Sequence, residues 1–243
     1  MLSAQSDTLE YEAPDWLESI RFETERHTYD NPHEWSLAQL AVGACDVSLL
    51  HTSRSTDDRM LEAFANGGTR WWIQVRFPDH STFWTPVDQI SQPRPSGFTS
   101  WNRVYNGLEV APVSVSGRSD TLESARAALE RALVDIADYA ERDDQSYWVE
   151  NSFRPALGFL QGAPTEFQWS DFQLDHLTPD QKALLEAAIK SWVFGAMGSW
   201  NDFWPSEDLE HEYETTSAAL HSAIKNALIA VANHNRPDNC PSD

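Results

Sequence analysis

Glycine, cysteine and lysine are scarce in this 243-residue chain, which holds ten, two and three of them. With so few glycines, neither G-x-G-x-x-G nor G-x-x-x-x-G-K-[ST] occurs, so no phosphate-cradling loop is offered. G-x-S-x-G, H-E-x-x-H and C-x-x-C are absent as well, which removes the hydrolase elbow, the zincin helix and the common zinc and redox pairs. No motif implies a cofactor, and no metal site is expected. Cys45 and Cys240 are too few for a disulfide framework. A bridge between them is open but not implied, so a reducing, cytoplasmic setting is the expectation. No stretch approaches the roughly 20 apolar residues of a membrane span. Met1 to Pro14 has neither the basic nor the apolar region of a signal peptide.

Positive charge is also in short supply. Asp and Glu number 38 against 17 Lys and Arg, for a net charge of −21. Residues 1–118 carry 9 basic and 16 acidic side chains, while residues 119–243 carry 8 and 22. Such a field repels nucleic-acid phosphate and anionic lipid and attracts basic partners. Solubility alone is the plainer account of the same charge.

What the chain does have is a globular composition, 41% hydrophobic and 12% aromatic, and a length that buries roughly 70–75% of its unfolded surface. Its character changes near residue 118. Before it, Ile20, Phe22 and Thr24 alternate with charged residues, as in a half-buried strand. Trp35 to Val42 is a less regular apolar stretch. Thr56 to Asn66 reads as a short helix with Met60, Leu61 and Phe64 on its apolar face. Trp71, Ile73, Val75 and Phe77 alternate with Trp72, Gln74 and Arg76, turn at Pro78 to Ser81, and return through Thr82 to Thr85. A further hairpin is predicted at Asn106-Gly107, a dipeptide suited to a type I′ turn, with a return arm over Leu108 to Val115.

Beyond residue 118, Leu122, Ala125, Leu129, Ala132, Ile136 and Ala140 recur at helical spacing. Pairs four apart (Arg126–Glu130, Arg131–Asp135, Asp138–Arg142) suit the outer face of that helix. Tyr147 to Leu160 is apolar but carries Pro155, which predicts two short helices or one broken one. Thr178-Pro179-Asp180-Gln181 has the residues of a capping box, and a last helix spans about Glu207 to Asn233. The predicted fold class is α+β. A mainly antiparallel β-sheet with one short helix fills residues 1–118, a helical layer fills 119–235, and 236–243 is a tail, all in one integrated domain.

The most distinctive tract is Trp192 to Trp204. Trp192, Met197, Trp200 and Trp204 surround the polar trio Ser199, Asn201 and Asp202. Aromatic walls with a few placed polar groups build many ligand pockets. The competing account is a buried turn between the last two helices, and it is favoured because apolar helix connections are common. Trp72 joins these as an interface candidate, because adjacent strand residues Trp71 and Trp72 face opposite ways. Glu207, Glu210, His211 and Glu214 form a candidate acidic face at the start of the last helix. A histidine among carboxylates suits metal binding or proton transfer, although acidic residues also belong in a first helical turn. Asp171, Asp175 and His176 offer an acid–base set, and Cys45 with His51 offers a nucleophile and a base, neither with a recognisable signature.

Three functions fit this sequence. First is an acidic, non-enzymatic binding protein engaging a basic protein partner, as an immunity protein or inhibitor does, with no nucleic acid and no membrane involved. Second is a hydrolase drawing carboxylates from Asp171, Asp175, Asp202 or Glu207. Third is a homo-oligomer subunit that buries its tryptophans between copies.

Overall fold

In the computed structural model, residues 17–52, 58–62, 66–90, 101–108, 121–164, 176–195 and 197–234 are described. The fold is α+β. The N-terminal part builds β1 (Leu17–Glu23), β2 (Thr28–Tyr29), α1 (Pro32–Ala41), β3 (Asp46–Thr52), α2 (Asp58–Leu61), β4 (Arg70–Arg76), β5 (Ser81–Ile90) and β6 (Trp101–Leu108). The six strands form one sheet in the order β2-β1-β6-β5-β4-β3. All neighbours are antiparallel except β1 and β6, which run parallel.

The strand alternation sets which side chains share a face. Phe22, Val75, Phe77 and Trp84 form one cluster with Trp35, which α1 lays on the sheet. Phe22 is stacked between Trp35 and Tyr105, at 4.3 and 4.7 Å between ring centres. The opposite face holds a smaller cluster of Leu50, Trp72 and Phe83.

Two predictions for this half are corrected. The irregular apolar stretch from Trp35 belongs to a helix, α1, so this half holds two helices rather than the one expected; its start is written in Asn31 capping the Glu34 N–H and in Pro32 within the first turn. Asn106-Gly107 is not a turn but lies inside β6. Glycine is needed there for close approach, since a Cβ on Gly107 would stand 3.0 Å from the Trp84 ring. The arm predicted beyond Leu108 lies outside the described residues.

The second half is helical: α3 (Leu122–Arg142), α4 (Ser146–Trp148), a π-helical turn (Val149–Phe153), α5 (Arg154–Leu160), α6 (Pro179–Lys190), a 3₁₀ turn (Trp200–Asp202) and α7 (Glu210–Asn233). Thr121 caps α3, and the predicted capping box opens α6 through Thr178 and Gln181. Pro155 does not open a gap. It sits in the first turn of α5, and the wider π turn before it carries the chain through.

Leu129, Leu133 and Ile136 of α3 meet Leu220 and Ile224 of α7, Leu184 of α6 and Phe153 in a single large core. Burial of each such side chain contributes about 1.5–3 kcal/mol. Two arginines of α3 form ion pairs with other helices, Arg126 with Asp180 and Arg142 with Glu212, and Arg142 Nε also donates to the Asp138 carbonyl of its own helix. Among the described residues no helix is long and apolar enough to cross a membrane.

Candidate functional site

The Trp192–Trp204 tract connects α6 to α7, and its polar residues are engaged in shaping that turn. Gly198 adopts a φ of +83°, in the left-handed region that favours glycine. Its N–H donates to Asp202 Oδ2 at 2.5 Å. Ser199 Oγ donates to the Gly195 carbonyl and accepts from the Asn201 N–H. Asn201 Nδ2 donates to the carbonyl of Arg59 in α2.

Trp200 is fully buried, at 0% exposure. Its Nε1–H donates to Ser217 Oγ at 2.8 Å, and its carbonyl accepts from the Tyr213 hydroxyl at 2.8 Å. Its ring meets Tyr139, Trp148, Phe153, Phe203 and Tyr213. Trp192 is half-buried with its ring against His221. Met197 and Trp204 behave otherwise, at 96% and 90% exposure. The tract is therefore a built turn around Trp200 with two exposed apolar side chains. Trp72 is placed elsewhere, buried on the sheet and donating to Thr52 Oγ1 at 3.2 Å.

The four residues of the acidic face are divided. All four are exposed, but among the described residues only Glu214 has an ion-pair partner, accepting from Arg59 Nη2 at 2.6 Å. No cluster of three His, Cys, Asp or Glu able to hold a metal is found among the described residues. Of the hydrolase carboxylates, Asp202 is bound to the Gly198 N–H, Glu207 is exposed, and Asp171 and Asp175 lie outside the described residues. His176 is exposed. His51 sits on β3 with its ring edge-on to Trp71. Cys45 is disulfide-bonded, which removes the free nucleophile.

A pair of polar networks at α2 carries no motif in the sequence. The expected apolar face of that helix is reversed: Met60 and Leu61 are exposed, while Arg59 is buried at 5% exposure. Beyond Glu214, the Arg59 guanidinium donates to Tyr213 Oη and Asn201 Oδ1 and lies over the Tyr213 ring. Just after α2, Glu62 faces His221 of α7, with Oε1 and Nε2 2.9 Å apart and both side chains buried. Glu62 also accepts the Thr69 N–H at 3.0 Å.

Burial pushes the Glu62 pKa up, but hydrogen bonds from His221 and Thr69 outweigh this and hold it below the ordinary value. A carboxylate holding an imidazole has the makings of an acid–base pair. Here the rings of Trp192 and Phe194 lie edge-on against His221, so the pair serves as a buried link between α2 and α7. The signal available for it was a histidine beside Leu220 on the buried stripe of α7.

At the other end of the tract, Asp143 caps α3 and accepts from Tyr139 Oη at 2.7 Å. It also takes the Ser206 hydroxyl at 2.6 Å and the Ser206 N–H at 3.3 Å. Burial raises its pKa, and these bonds bring it below the usual aspartate range.

No protein-family model, curated protein or solved structure matches the chain.

Proposed function

We propose that the chain is an acidic, non-catalytic binding protein whose helical layer engages a basic protein partner, as an immunity protein or inhibitor does. One observation carries this reading: among the described residues, several of the layer's positive charges are used internally, while its exposed unpaired carboxylates far outnumber the remaining Arg131, Lys182 and Lys190. Arg126, Arg142 and Arg154 pair with Asp180, Glu212 and Glu141, and Lys225 is buried. Glu123, Asp135, Asp138, Asp144, Glu150, Glu207, Asp208 and Glu210 are exposed and carry no ion pair among the described residues. A cationic partner would neutralise this surface, and its approach would be accelerated by the same field.

Crosslinking in the native cell, followed by titration of the purified pair, tests the reading. Captured partners are expected to have a pI above about 9. Binding is expected to weaken tenfold or more between about 0.1 and 1 M NaCl, as the screening length falls from ~10 to ~3 Å. Acidic or neutral partners, or affinity unchanged at high salt, overturn the proposal.

A further inference from the structure

We infer that Trp204 is the apolar anchor of a docking patch for an arginine-bearing, basic segment of a partner protein. The inference deepens the binding role proposed above and stands on it.

Trp204 is 90% exposed, yet the chain on both sides of it is held. Phe203 packs its ring against Trp200 and Tyr213, at 5.6 and 5.8 Å between centres. Ser206, two residues after the indole, is gripped by Asp143 through both its hydroxyl and its N–H. The backbone carrying the indole is held on both sides, so little backbone freedom is left to lose when the exposed ring is covered by a partner. Tyr147, also exposed at 66%, follows closely after Asp143, and its neighbour Trp148 is in contact with the same Trp200 ring.

The surrounding charge selects the occupant. From Met197 to His211 there is no Lys or Arg, and Asp202, Glu207, Asp208 and Glu210 are all exposed. Asp144, adjacent to the Asp143 grip, is exposed too. A second copy docking by this patch would set carboxylate against carboxylate, and phosphate-bearing partners are repelled for the same reason. A guanidinium fits both features. Its planar face stacks on the indole, which attracts cations, while its N–H groups reach the carboxylates.

The test is calorimetric titration of an arginine-rich nonapeptide, with a lysine-rich counterpart, at about 0.1 M NaCl. Wild type is compared with Trp204→Ala and with the triple variant Glu207→Gln, Asp208→Asn, Glu210→Gln. Trp204→Ala is expected to weaken arginine-peptide binding about two- to thirtyfold, the range of a cation–aromatic contact. It should affect the lysine peptide less, with the near-UV circular dichroism of the buried aromatics unchanged. Loss of affinity only in the acidic variant overturns the anchor but leaves the basic-partner reading standing. No measurable binding of either peptide to wild type overturns both. A wild-type dimer that Trp204→Ala converts to monomer overturns the inference in favour of a second copy as occupant.

Discussion

In the sheet, tryptophan is buried on both faces and in separate small groups. Trp35 and Trp84 lie with Phe22 on one side, and Trp72 lies with Leu50 and Phe83 on the other. In the helical layer a single indole, Trp200, touches five aromatic rings from α3, α4, the π turn, α7 and its own turn. The sheet distributes its apolar contacts, while the layer concentrates them. Loss of one aromatic should therefore stay local in the first and spread in the second.

The largest expected effect follows directly. Trp200→Ala removes the shared ring and strands the buried Ser217 hydroxyl, so a loss at or above the usual ~3–5 kcal/mol for such truncations is expected. Trp72→Ala should cost less, because its cluster is only Leu50, Phe83 and itself. Urea unfolding followed by far-ultraviolet circular dichroism compares the two, and equal losses would break the distinction between the halves.

The next effect concerns how the halves are joined. Glu62 lies just after α2 and His221 in α7, so their contact crosses from the sheet-bearing half to the layer. Because the folded pKa of Glu62 lies below its ordinary value of 4.5, the stability it contributes is whole above about pH 4.5. It is lost as the pH falls through the folded value. Glu62→Gln should lower stability by about 1.5–3 kcal/mol at pH 7, the usual range for a hydrogen bond to a charged group. The gap between variant and wild type should close below pH 4.5. Urea midpoints measured across that range check it, and a gap that stays constant into acid would show that the carboxylate charge contributes nothing.

The legible parts of this fold were those with a repeating period. Trp71 to Phe77 alternates cleanly and is β4 with its flank, and Leu122 to Ala140 lies within α3. The capping box before α6 was readable because three residue types at fixed spacing have one geometric solution. What escaped had no period. A four-residue helix such as α2 has barely one turn, so Met60 and Leu61 looked buried, while Arg59 took the interior because Glu214, Tyr213 and Asn201 receive it there. Gly107 looked like a turn glycine because the indole above it comes from another strand. The Trp192–Trp204 tract was visible as unusual, but Trp200 and Trp204 have the same composition around them. Only their tertiary partners set one at 0% exposure and the other at 90%.

The smallest effect tests a further tie between the halves, at the edge of the sheet. β3 is an edge strand, and its outward backbone groups invite pairing with another chain. Asn233, the last residue of α7, meets this by imitating a strand: its Oδ1 accepts the Leu49 N–H and its Nδ2 donates to the Leu49 carbonyl, both at 2.9 Å. Since antiparallel residues alternate between paired and outward-facing, Ser48 and Leu50 direct their amides to β4 while Leu49 depends on the side chain alone. Asn233→Ala should cost only about 1–2 kcal/mol, because water can reach groups at an edge once the clamp is gone. The sharper readout is residue-specific hydrogen exchange. The Leu49 amide should lose protection strongly in the variant while Ser48 and Leu50 keep theirs. Uniform loss along β3 would mean instead that α7 holds the whole strand in place.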